Sequence, residues 1–487
     1  MTIINRDAPE SGADEQAIAA LRQAFEVQKR AFLADPCPSY ETRVSRMQEA
    51  ARMLRDHRKE IGAALNEDFG WHPAAISDLV EIMSTSERVE HAIRHLRTWM
   101  MDDPREFNTA LWGDAKVVVR PQPKGVIGNM VPWNFPFDIA FAPLGEMFGA
   151  GNRVIIKPSD LTPACGALMA RMVAERFDPS VLTVVNGGIG LAKAFPTLAW
   201  DHLVYTGSPD VAKHVMRAAA ENLVPVTLEL GGKNPTIVAE DAVDQRSVAS
   251  IIGAKRFKAG QVCVAPDHVF VPRGQLGRFL DLAKEQCASA TPGFVQSDDN
   301  TGIISRRHMA RLTGMVEQAR AAGCEIIDLD AASGGVPSER RQMPLILVID
   351  PPAHLDVMTQ EVFGPVLPVV TYDNLDAVLD SINAGERPLA VYLYTYDKPL
   401  TEDILRRTTS GGACVNAALF HASIVSLPFG GSGNSGMGRH HGVEGFREFS
   451  NPRGVLMRSD GPDGLEAFNP PYRVLEAIAA SVMTEPS

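Results

Sequence analysis

The sequence predicts an α/β fold with two parallel-sheet domains. Three observations carry this. Strand-like and helix-like segments alternate from Gly125 to Leu230, the alternation starts over near Pro235, and the chain before Gly125 is mostly helical in pattern. Alternation at this spacing builds parallel β/α units with helices on both faces of each sheet. The 487 residues suit two or three domains, at roughly 100–200 residues for each domain.

Taken in order, residues 1–13 are polar and expected to be disordered. From Asp14 to Phe69 the apolar spacing is helical, with Leu21, Phe25 and Phe32 in one run and Met47, Ala50, Ala51 and Leu54 in the next. A third helical stretch covers Ile76–Met101, and Val117–Val119 reads as a short strand. Strands are then expected at Gly125–Val131, Arg153–Lys157, Val181–Val185, His202–Tyr205 and Val226–Leu230. Helices are expected at Pro136–Gly149 and Thr162–Phe177, briefly after Val185, and at Pro209–Asn222. Sheets of this kind bind nucleotides at the carboxyl ends of their strands. The second series has strands at Thr236–Ala239, His268–Val271, Leu345–Ile349, Val366–Thr371, Ala390–Tyr394 and Ala413–Asn416. Small polar residues make Ala331–Pro337 a surface loop. There is no internal repeat and no long linker.

Composition narrows the class. Apolar residues are 45% and charged residues 22%, ordinary for a soluble globular protein with large cores. A net charge of -12 argues against a nucleic-acid partner. The cysteines at 37, 165, 263, 287, 324 and 414 are scattered, without a C-x-x-C pair. That fits neither a disulfide framework nor a zinc site, and suits a reducing compartment. No H-E-x-x-H occurs among the twelve histidines. Met1–Glu15 lacks the apolar stretch of a secretory signal. No apolar run reaches the roughly 18 residues that span a bilayer, and Val474–Met483 is a short segment broken by Glu476, a packing or tail element. The expectation is a cytoplasmic enzyme with no metal site and no stable membrane anchor.

Two look-alike motifs are set aside. Gly431-Ser432-Gly433-Asn434-Ser435-Gly436 matches G-x-G-x-x-G, but Leu427-Pro428-Phe429 precedes it instead of a clean strand, and it lies near the chain end. A tight Gly-rich loop is the better reading. Asp68-Phe69-Gly70 is a helix C-terminus capped by glycine.

Four segments can carry chemistry. In Pro132-Trp133-Asn134-Phe135-Pro136, two prolines lock the backbone around one amide. That makes a rigid turn, or a fixed N–H donor for an oxyanion. In Leu228-Glu229-Leu230-Gly231-Gly232-Lys233, a carboxylate ends an apolar strand before a glycine pair. It is either solvated there or, if partly buried, raised in pKa and suited to general-base work. In Ala259-Gly260-Gln261-Val262-Cys263-Val264-Ala265-Pro266, the cysteine is a buried apolar residue or a nucleophile. A helical stretch over about Val248–Lys258 can return it to the sheet edge that carries Glu229. Glu361-Val362-Phe363-Gly364-Pro365 sets a carboxylate and a ring before a Gly-Pro turn, an arrangement able to hold a sugar and a ring.

These four motifs, in this order, resemble the aldehyde dehydrogenase superfamily, and the likeness runs from about Leu21 to Met457. The branch it is most similar to contains coniferyl-aldehyde dehydrogenases and the class 3, fatty-aldehyde-like enzymes. The segments Ala219–Thr227, Cys263–Asp267, Leu427–Gly431 and Asn434–Gly438 carry that likeness. The resemblance implies NAD(P)-dependent oxidation of an aldehyde to its acid. Cys263 is then the nucleophile that forms a thioester, Asn134 an oxyanion donor and Glu229 the base that activates water. A relative that passes the acyl group to CoA or phosphate, and a non-enzymatic member of the fold, are the alternatives. The presence of Asn134, Glu229 and Cys263 favours the hydrolytic enzyme.

The resemblance also implies cofactor contacts. Lys157 is expected at the adenosine ribose, with Asp160 where many members carry Glu; a carboxylate there favours NAD, and the shorter Asp leaves NADP open. Gly207 and Ser208 are expected near the pyrophosphate, at a helix start. Gly187 and Gly231 are cofactor-side turns, and Glu361 and Phe363 meet the nicotinamide ribose. Lys258 replaces a common Asn, Ala417 follows Asn416 where relatives often have Asp, and Phe420 and His421 are either funnel residues or, for Phe420, core. The implied layout is a Rossmann-like cofactor domain (1–113 and 126–228) and a catalytic domain (229–425). Bridging segments (114–125 and 436–460) join subunits into a homodimer, and 461–487 is a tail.

Overall fold

A computed structural model of the chain describes residues 12–290, 293–330, 339–461, 464 and 468–484. It opens with helices Gly12–Ala34, Tyr40–Asp56 and Arg58–Phe69. The first begins inside the stretch expected to be disordered, because buried Asp14 accepts hydrogen bonds from Gly188 N at 2.8 Å and Gly190 N at 3.0 Å. The rest of that stretch, and the expected loop at 331–337, lie outside the described residues. Ser39 caps the second helix by accepting from Thr42 N, and Gly70, with φ 76°, ends the third as its place after Phe69 requires.

Two expected helices are divided. The stretch from Ile76 contains a π-helical segment, Ser77–Ser84, before the helix Thr85–Trp99. Pro136–Gly149 is two short helices, Pro136–Phe141 and Leu144–Gly149, parted at Pro143, which has no N–H to give.

The described strands are, in chain order, β1 (Asp103–Pro104), β2 (Lys116–Pro123), β3 (Val126–Met130), β4 (Arg153–Lys157), β5 (Leu182–Val184), β6 (His202–Gly207), β7 (Val226–Leu230) and β8 (Pro235–Val238). They continue with β9 (His268–Pro272), β10 (Glu325–Asp328), β11 (Ile346–Ile349), β12 (Val366–Tyr372), β13 (Ala390–Tyr394), β14 (Gly412–Val415), β15 (Gly436–Met437) and β16 (Ser450–Met457).

The first sheet has the order β15-β7-β6-β3-β4-β5, parallel except at β15, whose Gly436 pairs with Glu229. The strand order reverses between β3 and β6, which opens a crevice at their carboxyl ends. The second sheet has the order β10-β11-β12-β9-β8-β13-β14, parallel except at β10. The third joins β1, β2 and β16, with β2 and β16 antiparallel from Ser450↔Pro123 to Met457↔Lys116. Residues 436–437 therefore extend the first sheet, whereas the sequence reading grouped them with the bridging segment.

One junction positions the site. The chain leaves the carboxyl end of β7 at Leu230 and enters the amino end of β8 at Pro235 through Gly231-Gly232-Lys233-Asn234. The carboxyl edge of the first sheet thus meets the amino edge of the second. Apolar cores fill both: Ile127, Val154, Ile156, Phe137 and Phe148 are fully buried in one, and Val269, Val271, Leu367 and Tyr392 in the other.

Candidate active site

Cys263 lies in the connection that enters β9. After the helix Gln245–Arg256, Lys258 (φ 51°), Ala259 (φ 53°) and Gly260 (φ 68°) are all left-handed, so the chain turns sharply. At Gly260 a Cβ would come 2.5 Å from Gly364 O, which leaves room for glycine alone. Two buried amides then fix the loop. Gln261 donates to Gly302 O at 3.0 Å and accepts from Ile304 N at 3.0 Å. Asn234 donates to Cys263 O at 2.7 Å and Ala265 O at 3.1 Å, and accepts from Ala390 N at 2.9 Å. Burial pushes the Cys263 thiol up to about 12, and the Glu361 and Glu229 carboxylates add to this; the N–H groups of Val264 and Cys263 act the other way.

Asn134 follows β3 and is 4% exposed. Its Nδ2 donates to Gln261 O at 3.3 Å, which brings the amide against the cysteine loop. An amide nitrogen carries two hydrogens, so one remains for a second acceptor. The helix that follows is anchored by Glu81, whose Oε2 accepts from Phe137 N and Asp138 N, each at 3.0 Å.

Glu229 is the fourth residue of β7 and 3% exposed, and among the described residues neither carboxylate oxygen has a hydrogen-bond partner. Burial holds its pKa well above the usual carboxylate range; Arg439 and Arg88 oppose this, and Glu448 adds to it. His440 Nε2 lies 3.5 Å from Glu229 Oε1. A carboxyl group so placed is a stronger base than an exposed one.

Glu361 and Phe363 are held before β12 by Lys233, which donates to Asp267, to Val357 O at 2.9 Å and to Gln360 O at 3.0 Å. Glu361 accepts from Gly232 N at 3.3 Å, and burial, aided by Asp267, pushes it up to about 8. A Cβ on Gly231 would lie 2.3 Å from both Glu361 oxygens. Phe363 is left-handed (φ 46°), and its ring meets Trp133 edge-on at 5.2 Å.

These segments converge. Asn134, Gly207, Ser208, Glu229, Gly231, Cys263, Glu361 and Phe363 line one cavity of about 940 Å³, with Leu79, Ile139, Phe257, Leu419 and Phe420 among its apolar walls. Phe420 is 67% exposed, so it is not core. His421 turns instead to Cys414, with Nδ1 3.2 Å from Sγ, and Asn416 is bonded to both backbone groups of Thr395. Lys157, Asp160 and Gly187 stand outside the lining. Lys157 is buried at the carboxyl end of β4, donating to Pro158 O at 2.9 Å, and Asp160 beside it is exposed. Gly187 lies past β5, where a Cβ would meet the Leu191 side chain at 2.8 Å.

The site fits a dinucleotide. The β3/β6 crevice ends in the helix Pro209–Ala220, whose N-cap Ser208 accepts from Val211 N at 3.4 Å. Sequence reasoning missed several supporting residues: Glu81, Arg88, Asn234, Gln261 and His440. Asn234 and Gln261 sit within or beside the quoted motifs, and the pair His440-His441 follows the glycine loop. Arg88 and Glu81 carry no sequence signal.

The description Aldehyde dehydrogenase family matches residues 8–455. The chain is 40% identical over 472 residues to a probable coniferyl aldehyde dehydrogenase of Caulobacter vibrioides, covering 96% of this chain and 97% of that one. It is 37% identical over 448 residues to aldehyde dehydrogenase family 3 member B1 of Rattus norvegicus, covering 91% and 93%. Among solved structures, substrate-bound AldH of Staphylococcus aureus matches with a TM-score of 0.88 at 30% identity, over 95% of this chain and 99% of that chain. An indole-3-acetaldehyde dehydrogenase complexed with NAD+ matches at 0.81 and 25% identity, over 91% and 89%. With the motifs gathered around one cavity and the match running along nearly the whole chain, this protein belongs to the aldehyde dehydrogenase family and oxidises aldehydes with NAD(P).

Proposed function

We propose that the protein oxidises coniferyl aldehyde or a similar long, apolar aromatic aldehyde to its acid, through a thioester on Cys263. The convergence of Cys263, Asn134 and Glu229 on one apolar-walled cavity carries this reading. The substrate class rests on relatives named for coniferyl aldehyde. Medium- or long-chain aliphatic aldehydes are the second reading, since the same walls suit them.

In this mechanism the Cys263 thiolate adds to the carbonyl carbon. The thiol proton passes to a buried carboxylate, Glu229 or Glu361, both more basic than usual and both acting on the sulfur, and from there to solvent, so that Glu229 is ionised again before the water step. The new oxyanion takes hydrogen bonds from Asn134 Nδ2 and Cys263 N–H. A bound nicotinamide dinucleotide supplies the hydride acceptor. Loss of hydride from the carbon re-forms the carbonyl as a thioester on sulfur. Glu229 then takes a proton from water, hydroxide adds to the thioester, the C–S bond breaks, and acid and thiolate separate. An unpaired, buried Glu229 favours water over CoA or phosphate as the final acceptor.

A bound dinucleotide would be held by Gly207, Ser208 and Gly231 through close backbone approach, by Lys157 and Asp160 at the adenosine ribose, and by Gly187 on that side. Glu361 and Phe363 would hold the nicotinamide ribose. The Asp160 carboxylate would accept ribose hydroxyls and repel a 2′-phosphate, which favours NAD over NADP. The cofactor domain is assigned to 1–113 and 126–228, the catalytic domain to 229–425, bridging segments to 114–125 and 438–460, since 436–437 extend the first sheet, and a tail to 461–487. A cytoplasmic homodimer completes the reading, and sedimentation checks its assembly.

The test is cofactor reduction, followed by absorbance, with NAD and NADP separately across aromatic and aliphatic aldehydes. Fastest turnover of NAD with coniferyl-type aldehydes supports the reading. Preference for aliphatic aldehydes overturns the substrate assignment, and preference for NADP overturns the role of Asp160.

A further inference from the structure

A buried polar chain runs behind Glu229. Arg88, on the helix Thr85–Trp99, donates to both oxygens of Glu146: Nε to Oε1 at 3.0 Å and Nη2 to Oε2 at 3.1 Å. Arg88 Nη2 also lies 3.0 Å from His440 Nδ1. Both side chains of the ion pair are buried, with Glu146 fully so. An arginine has no lone pair to offer, so His440 Nδ1 must be the acceptor and its proton sits on Nε2. That same Nε2 lies 3.5 Å from Glu229 Oε1.

The histidine has little freedom to do otherwise. Its backbone exchanges two hydrogen bonds with Phe429, each 2.8 Å, and its ring packs 5.3 Å from the Phe429 ring and 4.7 Å from that of His441. Glu146 in turn accepts from Gly442 N at 3.1 Å, two residues further on. Arg88 is therefore tied to this segment directly at His440 and, through Glu146, at Gly442. Among the described residues neither Glu229 oxygen has a hydrogen-bond partner, and the Nε2 of His440 approaches Oε1 to 3.5 Å.

We propose that His440 is a positioning residue for the base: held by Arg88, it directs a neutral Nε2–H at Glu229 and fixes the carboxylate for its attack on water. The inference rests on the reading of Glu229 as the base. Burial and Arg88 keep the His440 ring uncharged, in agreement with the hydrogen-bond geometry. A donor aimed at the charged form of a carboxylate favours that form. The other ionisable groups around Glu229 are Arg88 and Arg439, which favour its charge, Glu448, which opposes it, and the Cys263 thiol. His441, beside His440, is likewise kept neutral by burial and Arg88. His440 thus places a donor 3.5 Å from Glu229, and its loss is expected to move the base's titration upward.

The experiment compares His440→Phe, His440→Asn and His440→Gln with the wild type. Phe keeps the ring and no donor, Asn replaces Nδ1 and not Nε2, and Gln extends an N–H to the Nε2 position. The rapid first turnover of cofactor reduction reports the steps before hydrolysis, and steady-state kcat against pH reports hydrolysis. Phe and Asn are expected to keep the first turnover, lower kcat at neutral pH by at least about tenfold, and move the rising limb of the pH profile upward. Gln is expected to restore both. A wild-type pH profile in Asn, which covers the case of a Phe variant that does not fold, overturns the proposal. So does a Gln variant as impaired as Asn. Glu229→Gln, run alongside, separates the two readings. If it stalls after one hydride transfer while His440→Asn keeps the wild-type profile, only the role of His440 falls. If it turns over at the full rate, the base assignment falls and the role of His440 with it.

Discussion

Lys258 Nζ lies 2.8 Å from Glu81 Oε1, and both side chains are completely buried. Lys258 stands five residues before the nucleophile, and Glu81 also accepts the two N–H groups that open the helix after Asn134. The Lys258 ammonium rests 4.1 Å from the centre of the Phe135 ring. One ion pair therefore ties the oxyanion segment to the cysteine loop. Removing one partner strands the other charge in the interior. Lys258→Met is expected to lose about 3–5 kcal/mol of stability, measured by denaturant unfolding. A loss below about 1 kcal/mol contradicts the pairing.

Glu229→Gln is expected to release one equivalent of reduced cofactor per active site and then stop, because the amide cannot take a proton from water. Rapid mixing followed by steady-state recording checks this. Sustained turnover at the wild-type rate contradicts the role of the carboxylate.

The pH dependence follows from the sign of two shifts. Burial raises both Glu229 and Cys263, and both must lose a proton to act. Activity is therefore expected to rise with pH through the neutral to alkaline range, not near pH 4–5 where an exposed carboxylate titrates, about pH 4.3 for Glu. Stability runs the other way for Glu229. Its raised folded pKa gives a contribution present below the unfolded value and lost as pH climbs through the folded one. Glu229→Gln is then expected to gain thermal stability over the wild type as pH rises from 6 to 9, as read by thermal unfolding.

Phe420 lines the cavity while mostly exposed. Truncation to Ala is expected to change stability by no more than about 0.5 kcal/mol. It is expected to raise KM for large apolar aldehydes by about tenfold, given roughly 1.5–3 kcal/mol for a fully buried large side chain and partial burial here, and to leave acetaldehyde unaffected. Equal effects on large and small aldehydes contradict a funnel role.

Much of this was legible in the sequence because local signals agree with the fold. Val226–Leu230 and Ala390–Tyr394 are apolar runs bounded by turn residues, and they form strands at those limits. The four motifs each end or begin such a strand, so their convergence follows from parallel topology. The edge strand Glu325–Asp328 escaped because it is half polar and pairs antiparallel on one side only. The π-helical turn at Ser77–Ser84 has an ordinary helical pattern, and the bond of Thr85, just after it, to Asp138 at 2.8 Å is a tertiary contact that no local pattern reports. Arg88 and His440 are 352 residues apart, a separation at which no periodicity speaks. Lys258 showed only as a departure from a family pattern; its reason, Glu81, lies 177 residues upstream.

The most direct test of the covalent route is intact-mass and peptide analysis of the Glu229→Gln protein after mixing with aldehyde and NAD. The expected result is a single acyl addition on Cys263, absent from the Cys263→Ala, Glu229→Gln double variant. Reduced cofactor formed without any acyl addition, or an addition that persists once Cys263 is removed, would contradict the thioester.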